Sequence, residues 1–271
     1  MSEPNTINTH PAISRFGRVN WLGTWTLYTK EVRRFVKILT QTILAPVTTT
    51  LLFLAIFALA LGELRPDVAG VPFLNFLAPG LVMMTLMQNA FANTSSSLMV
   101  AKVQGNIIDV LMPPLSPGEH TFAFAMGGMT RGIMVAAACI AFMWPFVGFE
   151  IKHPLAMIYF AFSGALMMAL IGIMGGIWAE KFDHIQALTN FVVTPLAFLS
   201  GTFYSIAQLP EFARHIAMAN PFFYLIDGFR YAFTGHADSD IMTGIIFTSL
   251  LNTALWLAAY LLFRSGYRLK A

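Results

Sequence analysis

The stretch TPLAFLSGTFYSIAQLPEFARHIAMANPFFYLIDGFRYAFTG, residues Thr194–Gly235, decides the fold of this chain. It begins like a membrane helix and is interrupted at Leu209-Pro210 and Asn220-Pro221, because a proline disfavours helical backbone in the residue before it. Each piece so delimited has about 10–12 residues, whereas crossing the apolar core of a bilayer takes about 20. Non-helical backbone at membrane depth is tolerated only inside protein or beside a wet cavity. The stretch therefore predicts a re-entrant hairpin on one side of a membrane bundle, as part of a transport path or its lid.

The whole chain has the composition of a polytopic membrane protein. Of its 271 residues, 57% are hydrophobic and only 11% are charged, whereas soluble domains carry about 25% charged residues. The net charge of +3 does not indicate nucleic-acid binding, since the basic residues lie where an anionic membrane face attracts them. The single cysteine, Cys139, lies in an apolar run and excludes a disulfide or thiolate metal framework.

Six apolar segments are each long enough to cross a bilayer with some tilt. They are residues 41–61, 74–99, 120–145, 155–178, 187–206 and 241–263. A cytoplasmic N-terminus places eleven of the 16 Lys and Arg residues on the inside: Arg15, Arg18, Lys30, Arg33, Arg34, Lys37, Lys102, Lys181, Arg264, Arg268 and Lys270. Because cytoplasmic loops of membrane proteins carry the excess of Lys and Arg, both termini are predicted to be cytoplasmic.

An amphipathic helix is predicted before the first span. Apolar residues recur at helical spacing, and basic residues fill most of the remaining face. The apolar set is Trp21, Trp25, Tyr28, Val32, Phe35 and Leu39, and the basic set is Lys30, Arg33, Arg34 and Lys37. The helix is either a simple anchor in the cytoplasmic interface or a functional element. Residues 1–19 are predicted to be a cytoplasmic tail and residues 20–271 one membrane domain.

The charges argue against two classes of function. No Asp or Glu falls inside a predicted span, whereas ion-driven secondary carriers place a carboxylate in the bundle. There is no Gly-x4-Gly-Lys-Ser/Thr loop, so this chain does not hydrolyse ATP by that route. The one charge within a span is Arg131, predicted in its cytoplasmic half. It either snorkels or caps carbonyls as a structural residue, or it contacts substrate.

The second span carries a polar stripe, made of Gln88, Asn89, Asn93, Ser96 and Ser97. These side chains either hydrogen-bond to neighbouring helices or form the wall of a polar conduit. The pairs Gly128/Gly132 and Gly172/Gly176 have the small-xxx-small spacing that is typical of close helix packing.

The loop between spans two and three, AKVQGNIIDVLMPPLSPGEH (101–120), predicts a short apolar helix. Exposed apolar surface of this kind is usually covered, either by a partner protein or by the chain's own bundle. If a partner docks there, Ile107→Asp is expected to abolish the functional coupling between this chain and that partner, while the protein still folds. The candidate docking residues are Gln104, Gly105, Asn106, Ile107, Ile108, Asp109, Val110 and Leu111.

Two runs resemble a known family. The run FLAPGLVMMTLMQNAFANTSSSLMVAKVQGNIIDVLMPPLSP (76–117) resembles the signature of ABC-2-type permeases, the membrane subunits of ATP-binding-cassette exporters. The run 194–233 is similar to the family's second signature, with its Pro, Ser-Gly, Leu-Pro, Asn-Pro and Asp-x-x-Arg elements in order. Within the family, the chain looks closest to bacterial inner-membrane permeases related to nodulation-factor and drug exporters.

The resemblance implies an architecture and partners. The fold would be an all-α membrane protein with six transmembrane helices, an N-terminal amphipathic interfacial helix and an extracytoplasmic re-entrant hairpin between spans five and six. Two permease copies would bind two separate cytoplasmic ATP-binding-cassette subunits, which would hold ATP and Mg²⁺, so this chain would need no cofactor of its own. The loop 101–115 would be the coupling helix and 20–38 the connecting helix. The family carries a glutamate near the position of Gln104 and a more acidic coupling helix, whereas only Asp109 remains here.

These expectations combine into one predicted function. The chain would be a non-catalytic permease of an exporter in the bacterial inner membrane, in contact with membrane lipids and moving an amphipathic, lipid-linked or drug-like substrate. Spans one, two and five would line its pathway, and Leu209, Pro210, Asn220, Pro221, Asp227 and Arg230 would shape the re-entrant gate. Asp227 and Arg230, three residues apart, either pair or are solvated at the membrane surface. The alternatives are a membrane-embedded lipid-modifying enzyme and a secondary carrier.

Overall fold

The computed structural model describes residues 19–61, 67–68 and 70–269 of the chain, and most of them are helical. The predicted tail lies outside the described residues except for Val19. The helices are α1 (Trp21–Val36), α2 (Leu39–Leu61), α3 (Phe73–Val103), α4 (Ile107–Leu111), α5 (Pro117–Val147), α6 (Pro154–Trp178), α7 (Phe182–Leu188), α8 (Thr194–Phe198), α9 (Glu211–Ala219), α10 (Pro221–Thr234) and α11 (Ile241–Ser265). Strands β1 (Asp67–Val68) and β2 (Val71–Pro72) form one short antiparallel pair. The predicted all-α class is confirmed.

Four helices of the described chain are long and apolar enough to cross a membrane. They are α2 over Leu39–Ala60, α5, α6 and α11, which coincide with the first, third, fourth and sixth predicted spans. Helix α3 coincides with the second predicted span and has 31 residues. It is not one of the four because the residues of its polar stripe lower its mean hydropathy.

The predicted bounds of the fifth span, 187–206, are wrong. The helical segment begins earlier, at Phe182, and runs through α7, a π-helical turn over Thr189–Val193 and α8 before it ends at Phe198. Residues 199–204 are turns and bends, although the sequence there contains the apolar residues Leu199, Phe203 and Tyr204. Gly201 there adopts a φ of +73°, a left-handed conformation that glycine takes without strain. The hydrophobic pattern therefore overestimates how far the helix extends.

Helix α3 forms the centre of the bundle, with α5 and α6 packed against it. A Cβ atom on Gly172 of α6 would lie 2.6 Å from the carbonyl oxygen of Phe91, and one on Gly132 of α5 would lie 2.8 Å from that of Leu86. Gly128 and Gly176 approach α3 almost as closely. The predicted close packing at both small-xxx-small pairs is confirmed, since only residues without side chains fit at these contacts.

Helix α1 confirms the predicted amphipathic helix but packs with a different face. Its buried residues are Thr24, Leu27, Glu31 and Phe35, and this face packs on α5. Of the predicted apolar face, Phe35 is buried, while Trp21 and Trp25 are exposed. The packed face of α1 is therefore half polar. The spacing of hydrophobic residues does not predict a buried face of mixed polarity.

Candidate functional site

The predicted short helix in the loop after α3 is confirmed as α4. Gly105 ends α3 with a φ of +73°, and the Asn106 amide donates to the Gln104 side-chain oxygen at 3.3 Å. Ile107 is only 1% exposed, whereas Ile108 is 54% and Met112 is 75% exposed. The expectation for Ile107→Asp is therefore wrong, because that change would place a charge in the core. The outward-facing apolar positions are Ile108 and Met112.

The loop that contains α4 is fastened to the beginnings of α1 and α5. Ser116 caps α5 in a capping box with Glu119, and the second Glu119 oxygen accepts from the backbone N–H of Asn20. The Asn20 amide in turn donates to the Pro114 carbonyl oxygen at 3.3 Å. The buried His120 ring lies 3.1 Å from the Val110 carbonyl oxygen. Helices α1, α4 and α5 are thus joined by short polar contacts.

A groove of about 530 Å³ lies between α1 and this loop. Apolar side chains make up half of its lining. The residues lining it are Asn20, Leu22, Gly23, Thr26, Leu27, Lys30, Asn106, Asp109, Val110, Pro113, Pro114 and Leu115. Helix α1 and the α4 loop, which the polar contacts of Asn20 hold together, form the groove jointly.

The C-terminal part of the polar stripe binds α1. The Arg34 guanidinium donates to the Asn93 side-chain oxygen at 2.9 Å and to the Ser96 hydroxyl at 3.2 Å. The Ser97 hydroxyl donates to the Glu31 carboxylate at 2.7 Å, and Glu31 lies 3.5 Å from Arg34. For Asn93, Ser96 and Ser97 the interhelical hydrogen bonds predicted as one alternative are confirmed.

The other end of the stripe faces a cleft of about 430 Å³ between α2, α3 and α5. Gln88 and Asn89 line it together with Arg131 from the middle of α5. Arg131 donates to the Asn89 side-chain oxygen at 3.3 Å. The carbonyl group that Arg131 contacts therefore belongs to the Asn89 side chain of α3. The stripe thus divides into a part that holds α1 and a part that lines open space.

The predicted breaks between α8 and α11 are confirmed. Pro210 precedes α9, and Asn220 caps α10, accepting from the Phe222 N–H at 3.0 Å and donating to the Leu196 carbonyl oxygen at 2.7 Å. Leu209 is hydrogen-bonded to Ile206 through its backbone. Helix α10 has 14 residues and is longer than predicted. It ends at Gly235 with a φ of +74°.

Arg230 is buried at the junction of α10, α3 and the turn after α8. Its guanidinium donates to the carbonyl oxygens of Phe76 at 3.1 Å and Gly201 at 2.7 Å, and it lies 3.7 Å above the Phe76 ring. Burial lowers the pKa of Arg230 to about 10, so the side chain stays charged at neutral pH. The contact with Gly201 holds the turn that ends the fifth helical segment.

Asp227 is equally buried and fastens α10 to the segment before α11. It accepts from the backbone N–H groups of Asp238 and Ser239 at 2.9 Å each and from the Ser239 hydroxyl at 2.7 Å. Burial raises the pKa of Asp227, and the hydrogen bond from Asp238 opposes that shift. Both expectations for Asp227 and Arg230 are wrong, since they make no direct ion pair and neither is solvated.

Sequence reasoning missed three contact residues, Glu31, Asn20 and Glu119. Glu31 lies among basic residues, so it reads as part of a solvated face. Ser116 and Glu119 do form a recognisable capping-box signal, Ser-x-x-Glu, at the start of a helix. No sequence signal indicates that Glu119 also reaches Asn20, which is 99 residues away. Across the described residues, no group of three or more His, Cys, Asp or Glu side chains is placed to hold a metal ion.

Comparison with known proteins identifies the family of this arrangement. The family model described as ABC-2 type transporter matches residues 23–234. The inner membrane transport permease YadH of Escherichia coli strain K12 is 33% identical over 93% of this chain and 98% of its own length. Nodulation protein J of Rhizobium leguminosarum bv. viciae is 25% identical over 83% of this chain and 86% of its own length. Nodulation protein J of Sinorhizobium fredii is 24% identical over 79% of this chain and 80% of its own length.

The family match covers the amphipathic helix, the polar stripe, the α4 loop and the segment from α9 to α10. Its members associate with ATP-binding-cassette subunits, and the relatives named as permeases are transport proteins rather than enzymes. The apolar helices and the name of the E. coli relative agree with a multi-pass inner-membrane protein. The chain belongs to the ABC-2 type transporter family and is a membrane transport permease subunit.

Proposed function

We propose that this chain is the permease of an ATP-driven exporter that moves an amphipathic, lipid-linked or drug-like substrate across the bacterial inner membrane. Two copies would combine with two cytoplasmic ATP-binding subunits, which bind ATP and Mg²⁺. Six segments would cross the membrane with both termini in the cytoplasm: α2, α3, α5, α6, the segment from α7 to α8, and α11. Helices α9 and α10 would form the re-entrant hairpin on the outer side, with its gate at Leu209-Pro210 and Asn220-Pro221.

The observation that carries this proposal is the exposed apolar surface of α4. Ile108 and Met112 point away from the bundle beside the groove between α1 and the loop. An exposed apolar patch of this kind is typical of a protein interaction site. A cytoplasmic ATP-binding subunit that covers α4 would bury both side chains.

The polar contacts supply a path from α4 to the centre of the bundle. Asn20 and Glu119 join the α4 loop to α1 and α5, and Glu31 and Arg34 join α1 to α3. Because these groups are hydrogen-bonded and Asn20 and Glu31 are buried, a displacement of α4 would carry α1 and α3 with it. The movement of α3 would then change the shape of the cleft that Gln88 and Asn89 line. A transport pathway requires such a change of shape.

The test is ATP hydrolysis by the reconstituted complex of the permease with its ATP-binding subunit. Ile108→Asp combined with Met112→Asp is expected to abolish the permease-dependent stimulation of ATPase activity, because two charges would enter the apolar contact. The thermal unfolding temperature of the permease alone should not change, since both positions are exposed.

Tyr267→Asp is the matched control. Tyr267 is an exposed aromatic residue beyond the end of α11, and its replacement should leave the stimulation intact. Normal stimulation in the α4 double variant would refute docking at this surface. Export that persists without ATP, or lipid turnover by the permease alone, would instead favour the carrier or the enzyme alternative.

A further inference from the structure

We propose that the cleft between α2, α3 and α5 binds an amphiphile with one acidic head group, a phosphate or a carboxylate, and that Arg131 binds that group. This inference rests on the proposed function, because it names the chemical class of the substrate. It is carried by the electrostatic state of Arg131 and by the arrangement of polar and apolar side chains along the cleft.

Arg131 is a cation without a counterion among the described residues. Its single hydrogen bond goes to a neutral amide, Asn89, and its buried Nε has no partner. None of the described carboxylates pairs with it within 4.0 Å, and Arg34 repels it. A charge in the middle of a membrane helix is costly unless it is paired. An anion entering the cleft would supply the missing charge and the missing acceptor.

The cleft is polar at the level of Arg131 and apolar at its other end. Thr50 of α2 lies 2.9 Å from Thr85 of α3, hydroxyl to hydroxyl, and the two helices run in opposite directions. Residues before Thr50 therefore lie level with Gln88 and Asn89. The polar lining residues are Gln41, Thr42, Thr49, Thr50, Thr85, Gln88 and Asn89, and the apolar residues Ile38, Ala45 and Pro46 lie among them.

The opposite end of the cleft is lined by Phe53, Leu81, Met84 and Phe203. The Phe203 ring is one of a group of aromatic side chains, with centroid distances of 6.3 Å to Phe53, 5.0 Å to Phe57 and 5.3 Å to Phe198. This end suits a hydrocarbon chain. The head group of an amphiphile would then lie at Arg131, surrounded by hydroxyl and amide groups.

Charge and size decide between classes of ligand. A cationic amphiphile would be repelled by Arg131 and Arg34, and a neutral one would leave the Arg131 charge uncompensated. The volume of about 430 Å³ accommodates a small head group with part of a chain. An acidic amphiphile is the class that satisfies both the cation and the apolar end.

The test measures binding to the purified permease without its ATP-binding subunit. The protein in dodecyl maltoside is titrated with dodecyl phosphate, dodecanoate or dodecyltrimethylammonium, and bound molecules are counted by native mass spectrometry. Both acids are expected to bind and the ammonium compound is not. Arg131→Gln should weaken binding of the acids at least about tenfold, as expected for a lost charge-assisted hydrogen bond.

Two further variants separate binding from folding. Asn89→Asp supplies an internal carboxylate to Arg131 and should weaken acid binding to a similar extent while the cation keeps a partner. Arg33→Gln removes a charge from an exposed position of α1 and should leave binding unchanged. Full binding of dodecyl phosphate by both Arg131→Gln and Asn89→Asp, or preferential binding of the ammonium compound, would overturn the proposal.

A competition arm identifies the source of the acid. If phosphatidylglycerol displaces dodecyl phosphate, the natural ligand is a bilayer lipid, whereas failure to displace it assigns the site to a single-chain acid. Failure of the proposed function is distinguishable from failure of this inference. The α4 double variant should lose ATPase stimulation yet bind dodecyl phosphate normally, and Arg131→Gln should remain competent to dock the ATP-binding subunit.

Discussion

At the scale of single residues, three buried charges are the main departure from what the sequence suggests. Glu31 reads as a solvated residue, and Asp227 and Arg230 read as either a mutual ion pair or solvated residues. Each of the three instead lies inside the protein with other hydrogen-bonding partners. The hydrogen-bonding partners come from other elements of the chain, 11 or more residues away in sequence. The spacing of hydrophobic residues therefore cannot reveal these contacts, because it indicates only which face of a single helix is apolar.

Glu31→Ala is expected to destabilise the permease. Removing the carboxylate leaves Ser97 without its acceptor and Arg34 without its nearest opposite charge, and a buried polar group left unpaired costs about 1–3 kcal/mol. The measurement is the thermal unfolding of the detergent-solubilised permease. Glu31→Gln, which keeps an acceptor for Ser97, should lose less stability.

Lys30→Ala is the control for Glu31→Ala. Lys30 also contacts Glu31, at 3.4 Å, but about half of its side chain is exposed. Exposed ion pairs contribute about 0–1 kcal/mol, so its removal should hardly move the unfolding temperature. Equal losses in Lys30→Ala and Glu31→Ala would contradict the assignment of Glu31 as the central group of the cluster.

At the scale of elements, the approach of α6 to α3 depends on glycine. Gly172→Ala is expected to cost about 1–3 kcal/mol of stability, the range for overpacked cores. Its Cβ would lie 2.1 Å from the Thr94 hydroxyl oxygen and 2.6 Å from the Phe91 carbonyl oxygen. Because one of these atoms belongs to the backbone, a rotamer change cannot relieve the contact.

Gly118→Ala provides the comparison for Gly172→Ala under the same unfolding assay. A Cβ on Gly118, in the first turn of α5, would meet only the Tyr260 ring at 3.9 Å. Alanine has the higher helix propensity, so this variant should be as stable as the parent protein or slightly more stable. A Gly172→Ala protein that behaves like Gly118→Ala would show that α6 can move away from α3 at little cost.

At the scale of the whole molecule, the proposed orientation predicts which surfaces each compartment reaches. Cys139 is buried and should not react with a membrane-impermeant maleimide. The parent protein therefore serves as the control for background labelling. Phe212→Cys on α9, where the native side chain is 79% exposed, should label in intact spheroplasts. Met112→Cys in the α4 loop should label only after permeabilisation. The reverse pattern would invert the orientation and place the proposed gate in the cytoplasm.

The sequence by itself determined the membrane class, the α4 helix and the proline breaks before α9 and α10. It also predicted, to within a few residues, the ends of the helices at five of the six predicted spans. Apolar runs, glycine and proline act locally, and a local pattern can predict their effects. Tertiary structure decided the end of the helical segment at Phe198, the packed face of α1, the outward direction of Ile108 and the partners of Glu31, Asp227 and Arg230. Each of these depends on contacts between different elements of the chain. Burial and the demand that buried polar groups be hydrogen-bonded arise only when those segments meet.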